Sequence, residues 1–411
     1  MEQQTKQICA MLLLGGMLAA FLPAAGQSED PLSRYGIYAG STHAHTIFTL
    51  SHGAQYDRKP GTKKILFVDS STHVSTTINT TLKPGWEKYQ GLPAMHYALA
   101  KDNGYDFYVT ADHSQEAGFH PTSPLSAAWL ATQEEADKAT DSSFVALRGY
   151  EHSENDGPGG KGHINVINSA TYINALEPGI DLAYFYRWLD TVSANGDGPV
   201  VATFNHPGAR QYDDWSGREP GVTDVITMLE VINSNNHIHY AGFINALDRG
   251  WKVSPVCGND NHGTEGIADN TSRTFVLAEK RTKSAILEAM KHRRTYASLE
   301  QNIRCAYTVN DEIMGSTLKP ADTYQFDIEI SDPDTGNPGD RITKVDIVKD
   351  GGQVVQTYTP APGHSVRWKP VIRDAAAKYF FVRIWNAGGG DAPHADPKKP
   401  VAWLAPVWTG K

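Results

Sequence analysis

His43 and His45 stand two residues apart, just after a short apolar run at residues 35–39. Side chains two apart on an extended chain face the same side, so both imidazoles can address one metal ion. Two imidazoles do not make a site. Asp112 with His113, Glu151, His163, His206, and Asp260 with His262 each fall at the edge of a run that reads as a strand. Neutral imidazoles and ionised carboxylates on rigid elements are what a divalent metal centre requires. A lone histidine is more often a satisfied core or capping residue, but eight such residues at strand edges argue together for metal. Asp112 fits a second-shell acceptor or proton carrier, or equally a turn cap. Arg210, just past His206, and Arg273 are the candidates for holding an anionic substrate, because a guanidinium pairs bidentately with phosphate. Ion pairs within the protein explain each arginine as well. Glu230, His237 and His239 lie near one strand end and are weaker pocket candidates.

The elements that must position these groups alternate. Strands are expected at 35–39, 105–110, 144–147, 163–167, 199–204, 225–232, 253–257 and 273–277, with helices at 93–103, 125–140, 182–194, 241–250 and 283–294. Strands alternating with helices, with polar groups after strand C-termini, argue for an α/β barrel whose catalytic groups sit at that rim. His163 is the exception, since it opens its strand. Residues 51–92 read as a polar insertion over the site. Beyond residue 300 the pattern changes to strict alternation at 324–330, 344–348 and 379–385, which predicts a small antiparallel, sandwich-like β domain over 302–411.

The 411-residue chain is 40% hydrophobic and 20% charged, with ample material for a core. A formal charge of −9 argues against a broad nucleic-acid-binding surface. Residues 1–26 read as a cleaved secretory signal: Lys6, an apolar stretch at 8–22, and small residues at 24–26. That predicts a secreted or periplasmic protein, and no later segment is apolar and long enough to span a membrane. Cys257 and Cys305 remain after cleavage; two buried thiols is the favoured reading over a disulfide.

Taken in order, the motifs resemble those of the PHP (polymerase and histidinol phosphatase) superfamily. His43-Ala44-His45-Thr46 matches the first motif, Thr110-Ala111-Asp112-His113 the second, and Glu151 the bridging glutamate. The segments around His163 and His206 match the middle histidines, and Asp260 with His262 the closing pair. Within the superfamily the chain looks closest to the secreted carbaryl hydrolase-like branch. The resemblance spans residues 35–298 and implies a distorted seven-stranded β/α barrel in a domain at 30–300, with two or three divalent ions (Zn, Mn or Fe). By position, one ion would take His43, His45, Glu151 and Asp260; a second would share Glu151 with His163 and His206; a third would take His113 and His262. The residue five after His45, often Asp in the family, is Leu50 here; His52 is the substitute ligand if the loop is shifted.

The expected reaction is hydrolysis by a hydroxide bridging two metals beside Glu151, with Asp112 or a bound water protonating the leaving group. A small phosphate mono- or diester is the favoured substrate. A carboxylic or carbamic ester is the enzymatic alternative. A non-catalytic reading makes the chain a cell-surface carbohydrate binder presenting Trp368, Trp385, Trp403 and Trp408.

Overall fold

Phe107–His113 is buried at every position, as a strand covered on both faces must be. It lies inside one large mixed sheet. The computed structural model describes residues 32–49, 63–68, 75–80, 90–119, 122–153, 161–175, 177–234, 236–390 and 395–410. The proposed signal peptide, Leu50 and His52 lie outside the described residues.

In chain order the strands are β1 (Gly36–Ser41), a separate hairpin of β2 (Lys63–Val68) and β3 (Ser75–Thr80), then β4 (Phe107–His113) and β5 (Val145–Ser153). Next come β6 (His163–Ile167), β7 (Val201–Asn205), β8 (Ile226–Asn233), the short β9 (His237–Ile238), β10 (Ser254–Cys257), β11 (Arg273–Ala278) and β12 (Thr295–Ser298). Helices Ala127–Ala139, Leu182–Leu189, Tyr240–Asp248 and Lys283–Lys291 fall where the apolar spacing places them. Asp181 caps one by accepting from the Tyr184 N–H, and Thr282 caps another through the Ala285 N–H.

The main ladder runs β10-β8-β7-β6-β5-β4-β1-β11-β12 and continues into the C-terminal region. This is a mixed α/β fold, but the strand pairing is an open series and not a closed ring of seven. The reason is local. β11 and β12 occupy the flank of β1 that ring closure would need. The far edge strand β10 nevertheless returns to that place, joined by single bonds: the Thr42 N–H to the Cys257 carbonyl at 3.4 Å, and the Cys257 N–H to Thr274 Oγ1 at 2.6 Å.

β6 runs antiparallel to both β5 and β7. Its first residue therefore lies at the rim where the parallel strands β4, β5 and β7 end. His163 opens its strand and still joins the other candidates, opposite Ser153 and Asn205.

After Asn302 come β13 (Arg304–Val309), β14 (Glu312–Ile313), β15 (Thr323–Ser331), β16 (Ile342–Lys349), β17 (Gln353–Tyr358), β18 (Ser365–Trp368), β19 (Val371–Arg373), β20 (Tyr379–Asn386), β21 (Ala402–Leu404) and β22 (Val407–Trp408). β13, β14, β15, β18 and β19 form a second antiparallel sheet, whereas β16, β17, β20, β21 and β22 extend the large one. The two pack through Tyr324, Phe326 and Ile328 against Phe380, Val382 and Ile384. The large sheet crosses residue 302 because β21 pairs with β12, Ala297 opposite Trp403. Trp385, Trp403 and Trp408 are buried, the last two in the core shared with the first region, and the half-buried Trp368 stacks on Tyr358 at 5.3 Å. Cys257 and Cys305 are both buried free thiols, and among the described residues no helix is long and apolar enough to cross a membrane.

Candidate metal centre

Glu151 lies in β5, only 1% exposed, and is the hub of the cluster. One carboxylate oxygen, Oε1, is 3.2 Å from His163 Nδ1, 3.5 Å from His43 Nε2 and 3.5 Å from His206 Nε2. The other, Oε2, is 2.8 Å from His113 Nε2 and 3.6 Å from His45 Nε2. Asn205 donates to Oε1 at 2.9 Å and Ser153 to Oε2 at 3.2 Å, which fixes the carboxylate plane. Asp260 closes the other side, its Oδ1 3.0 Å from His45 Nε2 and its Oδ2 3.9 Å from His206 Nε2.

The donor atoms form three groups within 4.8 Å: His43, His45 and Glu151; Glu151, His163 and His206; and His45, His113 and His262. Imidazole and carboxylate sets of this kind suit Zn, Mn or Fe, so the residues fit divalent metal. All eight ligand candidates whose positions are described are brought together. The third group differs from expectation by including His45.

The outer nitrogens of the rings decide which nitrogen faces the centre. His43 Nδ1 is 2.9 Å from Glu230 Oε1. A carboxylate only accepts, so Nδ1 carries the proton and Nε2 points its lone pair inward. His45 is oriented through Thr49. The Thr49 hydroxyl donates to Asp112 Oδ1 at 2.7 Å, so its oxygen accepts from His45 Nδ1 at 3.2 Å and from the His113 N–H at 3.1 Å. His45 Nε2 is thereby left facing inward, 3.0 Å from Asp260 Oδ1, as the nitrogen a metal would bind. His262 Nδ1 donates to the Asp260 carbonyl at 3.2 Å, which gives its Nε2 the same role. Partners of this type are what set the tautomer of metal-ligating histidines.

Asp112 is turned away from this chemistry. Its oxygens accept from the Thr46 N–H at 2.6 Å, the Thr46 hydroxyl at 2.7 Å and the Thr49 hydroxyl. Burial pushes its carboxyl up, and the threonine bonds offset part of that. It braces the 43–49 loop, in place of the proton-carrying role. Arg273 is likewise structural: it is 2% exposed, stacks over Tyr105 at 3.6 Å, and donates to the Asn270 carbonyl at 2.6 Å and the Ser272 carbonyl at 2.9 Å. Arg210 is exposed, four residues past His206.

Burial opposes charge throughout the cluster, yet His163 and His43 hold the Glu151 carboxyl well below the usual carboxylate range. His43 and His45 do the same for Asp260. Both carboxylates are therefore ionised and ready to ligate. Against burial, the carboxylates Asp260, Glu230 and Glu151 raise His43, whereas burial with the neighbouring His262 and His113 lowers His45. A divalent ion would compete with those imidazole protons.

Two ligands sit on strained backbone. His206 has φ of 30° and Asp260 of 47°, in the left-handed region that side chains avoid. Beyond His206, Tyr212–Trp215 all have positive φ, a turn that costs energy at each residue. The Tyr212 hydroxyl secures it, lying 3.0 Å from the His163 carbonyl and 2.9 Å from the Asn205 carbonyl. Gly162 makes room for that ring; a Cβ there would approach it to 2.5 Å.

Glu230 is the residue whose role the sequence reading misplaced. It does not line a pocket but orients His43, and its Oε2 accepts the His206 N–H at 2.7 Å. A glutamate in the wholly buried Ile226–Asn233 strand was the available signal. Thr49, Asn205 and Glu116, whose carboxylate lies 3.9 Å from His113 Nδ1, are not among the residues that the sequence singles out.

Neither a family model nor a curated protein matches the chain. Among solved structures it is similar to a two-domain protein from Bacteroides vulgatus described as containing a predicted PHP-like metal-dependent phosphoesterase. The identity is 16%, over 91% of this chain and 96% of that one, with a TM-score of 0.43. It is also similar to a lesion-specific endonuclease from Pyrococcus furiosus, at 12% identity over 62% of this chain and 56% of that one, with a TM-score of 0.32.

Proposed function

We propose that this chain is a metal-dependent hydrolase of the PHP type, acting on phosphate mono- or diesters of small molecules. The observation that supports it most directly is Glu151, one buried carboxylate in reach of five imidazoles. The order of the motifs along the chain supports the same reading.

His43, His45, Glu151 and Asp260 would hold one ion, and Glu151, His163 and His206 a second. Divalent ions there supply Lewis-acid charge and lower the pKa of water toward neutrality. Glu151 and Asp260 stay ionised at neutral pH and hold the donors in register. Glu230 and Thr49 keep the His43 and His45 protons on the outer nitrogens. His45 offers a single inward lone pair, so it serves either the first group or the group with His113 and His262. Two positions would therefore fill before a third. Arg210, exposed four residues past His206, would meet a substrate anion. Residues 1–26 would direct export, so N-terminal sequencing of the mature protein should begin near residue 27.

A panel of phosphomonoesters, phosphodiesters and carboxylic and carbamic aryl esters, run on purified protein with added Mn or Zn, tests the reading. Metal-dependent phosphoester turnover is expected. Turnover of aryl esters alone would select the carboxylic or carbamic ester reading, and absence of bound metal would end both.

A further inference from the structure

A second group of convergent carboxylates lies away from the histidines. Glu300 follows β12 in the large sheet, Asp332 follows β15 in the second sheet, and Asp340 sits in the short turn Pro338–Asp340. Carboxylate oxygens of all three lie within 4.8 Å of one another. Carboxylates are rarely buried without compensation, yet exposure is 1% at Glu300, 3% at Asp332 and 6% at Asp340.

The contacts of Asp332 and Asp340 bring no cation to them. Glu300 Oε1 accepts from Asn386 Nδ2 at 2.5 Å, and Asp332 Oδ1 accepts from the Asp334 N–H at 2.8 Å. Asp332 Oδ2 is buried with no hydrogen-bond partner among the described residues. No Lys or Arg pairs with Asp332 or Asp340 among the described residues. Burial pushes the Asp340 carboxyl up, bonds with Glu300 and Asn337 offset part of that, and Asp332 adds to the push. A buried oxygen without a partner, on one of three converging carboxylates, needs a cation or a shared proton.

We propose that Glu300, Asp332 and Asp340 form a binding site for one hard divalent cation of the calcium class. The donors are all oxygen, with no imidazole or thiolate, which favours a hard ion such as Ca²⁺ over Zn or Fe. The ligands come from the end of a large-sheet strand, the end of a second-sheet strand and the loop after it. A cation there clasps the two sheets together. The site is independent of the hydrolase reading and stands whether or not that reading does.

The test uses the full chain with the metal of its histidine centre in place. CaCl2 is titrated by calorimetry, and thermal melts are run with and without it. Wild type should take up one Ca²⁺ per chain and melt a few degrees higher with calcium. Asp332→Asn and Asp340→Asn should each lose at least about tenfold in calcium affinity, and the melting shift with it, while keeping the transition-metal content of wild type. His43→Ala should bind calcium as wild type does. The proposal is overturned by no uptake in wild type at millimolar calcium, or by uptake unchanged in both Asn variants. Loss of uptake in His43→Ala would also overturn it by placing the ion at the histidines, and this arm decides even where the Asn variants do not fold.

Discussion

His43 Nδ1 lies 2.9 Å from Glu230 Oε1, and the other oxygen of that carboxylate accepts the His206 N–H at 2.7 Å. One fully buried carboxylate thus orients the ring of one ligand and the backbone of another. His206 needs the second contact, because its φ of 30° is unfavourable without restraint.

Glu230→Gln keeps the shape and removes the charge. Metal affinity is expected to fall about 10- to 100-fold, the usual range for losing such an outer partner, with the fold intact by circular dichroism. Metal content measured over a range of free metal checks this; affinity equal to wild type would show that the His43 tautomer does not depend on Glu230.

Thr49→Val deletes the hydroxyl shared by Asp112, His45 and the His113 N–H. It leaves a buried carboxylate oxygen short of one donor, which costs about 1–3 kcal/mol. Denaturant unfolding should show that loss together with weaker metal binding. A stable variant with normal metal content would mean that Thr46 alone suffices to brace the loop.

Glu151→Gln should abolish hydrolysis and lower bound metal, since Glu151 belongs to two of the three donor groups. Chelation of wild type should do the same, depress the melting temperature, and be reversed by restoring the metal. Unchanged metal stoichiometry in Glu151→Gln would refute the shared carboxylate.

His96 gives a pH dependence away from the metal centre. Burial lowers its pKa to about 4, although its Nε2 contacts the Gln90 carbonyl at 2.6 Å. The unfolded chain, with a histidine value near 6.5, binds the proton first as pH falls. The stability that the neutral buried ring contributes is therefore present above about pH 6.5 and is lost between about 6.5 and 4, up to on the order of 3 kcal/mol. In unfolding curves across that window, His96→Asn should show a shallower slope than wild type. Equal slopes would exclude His96 as the source.

The convergence of these histidines and carboxylates was legible because each stands at the edge of a buried run, where hydropathy and residue type coincide. His163 looked anomalous because strand direction is a property of pairing, and no residue in 163–167 announces that β6 runs against its neighbours. Arg273 read as a substrate cation because sequence cannot show the Tyr105 ring and the carbonyls that enclose it. Thr49 reads as a loop polar residue; only folding brings its hydroxyl between Asp112, 63 positions away, and two histidines. The open ladder was hidden for the same reason, since the pairing of Ala402–Leu404 with Thr295–Ser298 joins segments about a hundred residues apart.

That pairing also sets a schedule. β21 is made about a hundred residues after β12, and it covers the edge of β12 in the sheet that carries the histidines. Until Ala402–Leu404 has been made, that flank of Thr295–Ser298 is an unpaired strand edge, the kind that recruits other chains. The sheet beneath the candidate metal centre therefore waits on a strand from the second region, and a chain cut short between the two exposes the edge to aggregation.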